Sequence, residues 1–113
     1  MKVKDLQPEI KKISIEIKAE DKTEPREVVA STDDKFHKVC EALVGDETAS
    51  IYLSLWDEQA DEVKKGKHYR ITNAYTSVYR NSLRLNIGKY GKIEEIEADF
   101  EINTAENLSL KEL

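Results

Sequence analysis

The chain has 113 residues, which is enough for one domain with one small core. Hydrophobic residues make up 39% of it and charged residues 36%, and no apolar run approaches the ~20 residues that a membrane-spanning helix needs. The N-terminus has no apolar segment typical of a secretory signal, and a single cysteine, Cys40, excludes an internal disulfide. We therefore expect a soluble domain without a membrane role, and we take the cytoplasm as its default location.

The formal net charge of -5 is distributed unevenly. Residues 64–93 contain eight Lys or Arg, four Tyr and no Asp or Glu. Residues 94–113 contain seven acids and one Lys, which leaves 17 basic and 16 acidic residues in 1–93. A basic segment with interleaved aromatics is typical of a surface that binds a polyanion carrying flat rings. Single-stranded nucleic acid is the common ligand of that kind.

Most of the predicted elements are short strands, because apolar and polar residues alternate in several stretches. In the first third of the chain we expect a strand at 13–17, a polar loop at 20–27, an extended segment at 28–29 and a turn at Asp33-Asp34. Strands at 36–44 and 49–56 follow, with a turn at 45–48 between them. A short helix at 57–63 then precedes strands at 67–75 and 82–88, which are joined by a connection at 76–81. About five strands with little helix in so short a chain favour an all-β protein. For a chain of this length we expect a five-stranded Greek-key barrel, the OB-fold.

The last 20 residues are expected to differ from the rest. We place the barrel domain at 1–94 and an acidic C-terminal tail at 95–113. Asn103 and Glu106 have the spacing of a capping box, which predicts a final helix of about two turns. An alternative is that residues 110–113 (LKEL), which resemble 3–6 (VKDL), begin a second copy of the domain in a tandem array.

No catalytic or metal-binding pattern is present in the sequence. His37 and His68 have no Cys, Ser or carboxylate at a known catalytic spacing, and the chain lacks CxxC, HExxH, GxSxG and Gly-rich phosphate-binding motifs. Three or four converging metal ligands cannot be named. We therefore expect a non-enzymatic protein without a cofactor or metal.

The candidate binding residues are aromatic and basic. Trp56 ends a strand in which Ile51, Leu53 and Leu55, on the opposite face, supply the core. The Trp56 ring therefore either stacks with a ligand on the surface or packs over the barrel end. Tyr69 and Ile71 are expected in the core. A regular strand would bury Tyr75 as well, whereas a bulge near Asn73 would turn it outward. Exposed candidates further along the chain are Tyr79, Arg80, Arg84, Lys89 and Lys92.

Three segments carry a family resemblance. ALVGDETASIYLSLWDEQ (42–59), VKKGKHYRITNAYTSVYRNSLRLNIGKYGKI (63–93) and the N-terminal residues 3–28 resemble the single-OB single-stranded DNA-binding proteins of archaea and the eukaryotic sensor-of-single-strand B subunits. They are also similar to the repeated domains of archaeal replication protein A. The resemblance implies stacking aromatics at Trp56, Tyr75 and Tyr79 and favours the bulge at Asn73. It also implies polar contacts from Arg26, Asn73 and Arg84.

The expected function is largely sequence-independent binding of single-stranded DNA in replication, recombination and repair. One domain would cover only a few nucleotides, so long strands would need tandem copies or self-association. RNA binding on the same face and a protein-interaction role in a DNA-maintenance complex are the alternatives.

Overall fold

The computed structural model describes residues 1–29 and 35–111, without the side chain of Lys89. The turn expected at Asp33-Asp34 lies outside the described residues. The strands are β1 (Ile13–Lys22), β2 (Arg26–Val29), β3 (Phe36–Gly45), β4 (Ser50–Trp56), β5 (His68–Tyr79) and β6 (Ser82–Ile96). One helix, α1 (Glu58–Glu62), and 3-10 turns at Val3–Asp5 and Leu108–Leu110 complete the described elements. Within the described part of the chain, no helix is long and apolar enough to cross a membrane.

The strands close into a five-stranded barrel. Their order is β1-β5-β6-β4-β3-β2, and an additional pairing between β1 and β3 closes the sheet on itself. All of these pairs are antiparallel except β4–β6. The short strand β2 pairs with β3 alone and extends the barrel wall as a sixth strand. The predicted OB-fold is confirmed, with its short helix at the predicted place.

The core follows the alternation that the sequence predicts. Ile13, Ile15 and Ile17 of β1 are buried, and the alternating apolar residues of β4 are buried with them. Tyr69 and Ile71 are buried as expected, and the Tyr69 hydroxyl accepts a 2.6 Å hydrogen bond from the backbone N–H of Lys64. Burying this ring without a polar partner for its hydroxyl would be costly.

Two predicted loops are shorter than expected. β1 continues to Lys22, so only residues 23–25 remain of the polar loop at 20–27. The connection predicted at 76–81 is wrong, because β5 continues to Tyr79 and pairs with β6 as far as Ser82. Arg80 and Asn81, with φ of 51° and 62°, form a two-residue hairpin turn. Two successive left-handed residues match the twist of the flanking strands, which is why hairpins use them.

The β5–β6 hairpin contains one large irregularity. Thr72 pairs with Lys92 and Ala74 pairs with Ile87, so Asn73 on β5 faces the four residues 88–91 on β6. Asn73 has a φ of 56°, a left-handed conformation that Asn tolerates better than most residues. The predicted bulge near Asn73 is confirmed: Ala74 is buried and Tyr75 is exposed.

The segment after β6 folds back onto the barrel. The backbone N–H of Ser50 donates to the Glu106 carbonyl at 2.7 Å, and Ser109 Oγ accepts from the Tyr52 N–H at 2.9 Å and donates to the Leu83 carbonyl. Ser109 is buried and bridges β4 and β6. The boundary expected at residue 94 falls inside β6, and hydrogen bonds of Glu106 and Ser109 attach the following segment to β4 and β6.

The two-turn helix predicted from Asn103 is wrong. The Asn103 side chain accepts a hydrogen bond from the Ala105 N–H, and the chain forms only the 3-10 turn at Leu108–Leu110. Asn107 caps that turn by accepting from the Ser109 N–H at 2.9 Å. The segment forms hydrogen bonds to β4 and β6. These replace the hydrogen bonds within a helix that a capping box would start.

Candidate nucleic-acid interface

Five of the candidate residues lie on one side of the barrel, on a surface formed by five strands. Residues paired across neighbouring strands project to the same side, so the register determines which side chains share a face. Arg26 pairs with Val39 and Val39 with Trp56, while Tyr75 pairs with Asn86. We call this surface the outer face; its side chains are Arg26, Val39, Glu41, Tyr52, Ser54, Trp56, Tyr75, Ser77, Tyr79, Ser82, Arg84 and Asn86.

Trp56 is exposed at the end of β4, with 44% of its surface accessible. The ring is therefore not buried over the barrel end, and His37 makes an edge contact with it, with the ring centroids 6.3 Å apart. His37 Nδ1 in turn donates to Asp57 at 2.8 Å. This hydrogen bond and one from the Lys38 N–H hold the pKa of the Asp57 carboxyl below its ordinary value. Trp56 is thus supported at one edge while much of its ring remains accessible.

Tyr75 and Tyr79 are exposed on β5, with accessible fractions of 39% and 57%. Tyr75 faces outward because of the bulge at Asn73. Tyr79 lies beside the hairpin turn, where the Arg80 guanidinium is 5.2 Å from its ring centroid. A cation at this distance interacts with the ring face and brings positive charge to the aromatic surface.

The three rings follow the direction of β6. Tyr79 lies opposite Ser82 and Tyr75 opposite Asn86, and the parallel register of β4 (Ser54 with Asn86) places Trp56 level with residue 88. Six residues of a strand span about 20 Å at ~3.3 Å per residue. The rings therefore form an elongated row, a shape that suits an extended polymer better than a compact ligand.

Arg84 lies between the rings and is not a free cation. It forms an ion pair with Glu41, its guanidinium is 5.0 Å from the Tyr52 ring centroid, and its Nε donates to Ser82 Oγ at 3.1 Å. Burial lowers the pKa of this guanidinium. The lack of acids in 64–93 is therefore a misleading sign of free positive charge, because Glu41 on β3, two strands away from β6 in the sheet, supplies the compensating carboxylate.

The other predicted polar residues divide between two regions. Arg26 and Arg80 are exposed at the two ends of the outer face, and Asn73 is exposed at the bulge. Lys92 is not brought to this face: it lies beyond the bulge beside Arg70 and Glu94. The side chain of Lys89 lies outside what the structure describes.

Two residues at this site were not expected from the sequence. Glu41 was missed because the partner of Arg84 is remote in sequence and only the β3–β4–β6 register brings it close. Tyr52 shares the parity of Trp56, which was a usable signal for its position on the outer face.

Sequence comparison gives consistent matches. The model of the family described as single-stranded DNA binding protein Ssb-like, OB fold, matches residues 6–95. The chain is 32% identical over 98 residues to the single-stranded DNA binding protein Ssb of Saccharolobus solfataricus, covering 87% of this chain and 65% of that protein. It is 33% identical over 76 residues to an uncharacterized protein of Arabidopsis thaliana, covering 66% of this chain and 50% of the relative. The chain thus spans between half and two thirds of the length of these curated relatives.

Solved structures agree on the fold. The solution structure of a hypothetical Arabidopsis thaliana protein superposes with a TM-score of 0.83 at 27% identity, covering 99% of this chain and 83% of that one. The second OB-fold domain of replication protein A from Methanococcus maripaludis superposes with a TM-score of 0.71 at 25% identity, covering 89% and 98% of the two chains.

Proposed function

Because this chain belongs to the Ssb-like family of OB-fold single-stranded DNA-binding proteins, we propose that its outer face binds single-stranded DNA without catalysis and with little sequence preference. Trp56, Tyr75 and Tyr79 supply the stacking surfaces. The observation that carries the proposal is the row of three exposed rings on one side of a barrel whose core is complete without them.

Stacking explains why the sequence of the bound strand matters little. Every base has a π-face, and stacking on an aromatic side chain contributes roughly 1–3 kcal/mol per base whatever the base is. In a duplex these faces are covered by neighbouring base pairs. The outer face therefore selects single strands over duplex DNA.

Phosphate neutralisation supplies the remaining affinity. Arg26 and Arg80 are exposed at the two ends of the row, and Arg84 lies near its centre. A phosphate that reaches Arg84 competes with Glu41 for the same guanidinium. Contact with about three to four phosphates gives a slope of log K against log salt of about −2 to −3.

The biological setting is a proposal of the same kind. A short row of rings covers few nucleotides, so long strands would need several copies of the domain through tandem repetition or self-association. Protection or presentation of single strands in replication, recombination and repair suits such a protein, and a cytoplasmic location is compatible with it. RNA is the alternative ligand, because the same rings stack its bases and no residue of the outer face is identified as reading a 2′-hydroxyl.

Binding by labelled oligonucleotides tests this proposal. Trp56→Ala, Tyr75→Ala and Tyr79→Ala should each weaken oligo-dT binding by about 1–3 kcal/mol, measured by fluorescence anisotropy. Val78→Ala is the matched control, since Val78 is exposed on the same strand but projects to the other side of it. Wild-type affinity in all three aromatic variants would refute the stacking surface, and tighter binding to oligo-U than to oligo-dT would favour RNA.

A further inference from the structure

A second aromatic feature lies beside the outer face and takes no part in the row of three rings. Tyr90 is the most exposed of the large hydrophobic side chains among the described residues, at 75%. It belongs to the four-residue excursion 88–91 of β6, opposite Asn73. Exposing a tyrosine to this extent gains no burial, so core packing does not explain its position.

Glycine occupies both ends of the excursion, where the backbone lies too close to neighbouring atoms to leave room for a Cβ. A Cβ on Gly91 would lie 2.5 Å from Ile87 Cγ2 and 3.0 Å from the Gly88 backbone, and a Cβ on Gly88 would lie 2.9 Å from the Asn73 carbonyl oxygen. The chain therefore turns back on itself within four residues, which only glycine at these two positions permits. This close approach fixes where Tyr90 leaves the barrel.

Tyr90 and Tyr75 line the same open groove. Its other lining residues are Lys11, Lys12, Asn73, Ala74 and Gly88, and its surface is chiefly apolar. No acid is among these lining residues, and the ion pairs between described residues do not include Lys11 or Lys12. The groove thus combines two aromatic rings with two exposed lysines among its lining residues, which is complementary to a base and its phosphate.

We propose that this groove is a fourth nucleobase site, in which one base of the bound strand enters between Tyr75 and Tyr90 while Lys11 and Lys12 contact the adjacent phosphates. The inference rests on the proposed function, since Tyr75 serves both the row of rings and the groove. It extends the binding surface from the β5–β6–β4 side of the barrel towards the start of β1, where Ile13 pairs with Ala74.

The test uses Tyr90→Ala, Tyr90→Phe and a control variant, Phe36→Ala. Phe36 is as exposed as Tyr90, at 72%, but its parity on β3 is opposite to that of Val39, so it projects away from the outer face. Oligo-dT binding should weaken about fivefold or more in Tyr90→Ala, the effect of losing one stacked base. Tyr90→Phe and Phe36→Ala should stay within twofold of wild type.

An abasic scan then locates the base. One thymine is removed at each position of the oligonucleotide in turn, and every oligonucleotide is measured with wild type and with Tyr90→Ala. At one position the decrease in affinity caused by the missing base should largely disappear in Tyr90→Ala, because the base and the ring stack on each other. Additive decreases at every position would overturn the fourth site.

The lysines give an independent readout. Replacing Lys11 and Lys12 by Gln together should reduce the magnitude of the salt slope by about 0.7 for each phosphate that is no longer neutralised. Wild-type affinity in Tyr90→Ala together with an unchanged salt slope would overturn this site and leave the proposed function intact. Failure of the wild-type protein to bind oligo-dT would overturn the proposed function itself.

Discussion

Asn73 determines the side of the sheet on which Tyr75 lies. The left-handed backbone of Asn73 inserts one residue into β5, so that Ala74 pairs with Ile87 and is buried while Tyr75 projects outward opposite Asn86. Without that extra residue the parity of β5 would bury Tyr75 and expose Ala74. A backbone conformation thus creates one of the three stacking surfaces.

Substitutions at Asn73 should therefore act on stability according to their backbone preference. Asn73→Gly should retain the free energy of unfolding, because glycine adopts a φ of 56° readily. Asn73→Val should lower that free energy by about 1–2 kcal/mol or more, since a β-branched residue is strained in the left-handed region. Urea denaturation measures both variants, and equal stability of Gly and Val at this position would contradict the role of the bulge.

Glu41 should restrain binding through its ion pair with Arg84. Glu41→Gln removes a negative charge from the outer face and leaves the Arg84 guanidinium available to phosphate. We expect several-fold tighter binding to oligo-dT at low salt and a smaller gain at high salt, where exposed charges are screened. Glu16→Gln is the matched control, because Glu16 pairs with Arg70 on β1 and β5, away from the outer face. Equal effects of the two substitutions would show that only net charge matters.

Ser109 should stabilise the barrel, although it follows the last strand. In Ser109→Ala the Tyr52 N–H and the Leu83 carbonyl lose their hydrogen-bond partner in a buried position. Leaving such groups unsatisfied costs about 1–3 kcal/mol, which urea denaturation would detect. Thr104→Ala, at an exposed position in the same segment, should leave the stability unchanged. A neutral Ser109→Ala would contradict a stabilising role for these two hydrogen bonds.

Asp57 should make stability depend on pH. Its pKa is lowered in the folded state, first by the hydrogen bond from His37, so its contribution is present above the ordinary Asp value of 3.8 and is lost as the pH falls through the lower folded-state value. In Asp57→Asn this contribution is absent, and Asn tolerates the φ of 53° at this position. The urea midpoints of wild type and variant should therefore converge below pH 3.8. A constant difference across that range would contradict the assigned interaction.

The barrel was predictable from the sequence because strand parity reports burial directly. The alternation at 13–17 and 49–56 identified two core strands, and the same parity placed Trp56 off the core without deciding between stacking on a ligand and packing over the barrel end. The β5–β6 turn was misplaced because Thr76 and Ser77 resemble loop residues, although Thr76 is buried in the strand, where Oγ1 donates to the Gln7 carbonyl at 2.6 Å.

Interactions between distant segments could not be predicted in the same way. The ion pair between Glu41 and Arg84 depends on the register of three strands, and the packing of the C-terminal segment depends on hydrogen bonds to backbone groups of β4 and β6. Neither leaves a local pattern in composition or periodicity. Because these hydrogen bonds leave no sequence pattern, only the acidity of residues 94–113 was visible, and it suggested a separate tail.

The intrinsic fluorescence of Trp56 reports whether bases stack on its exposed ring, because the chain contains one Trp. Titration with oligo-dT at low salt should quench the emission saturably, and the same concentration of duplex DNA should leave it nearly unchanged. Binding of oligo-dT, detected by anisotropy, without any change in Trp56 emission would show that bases do not stack on this ring.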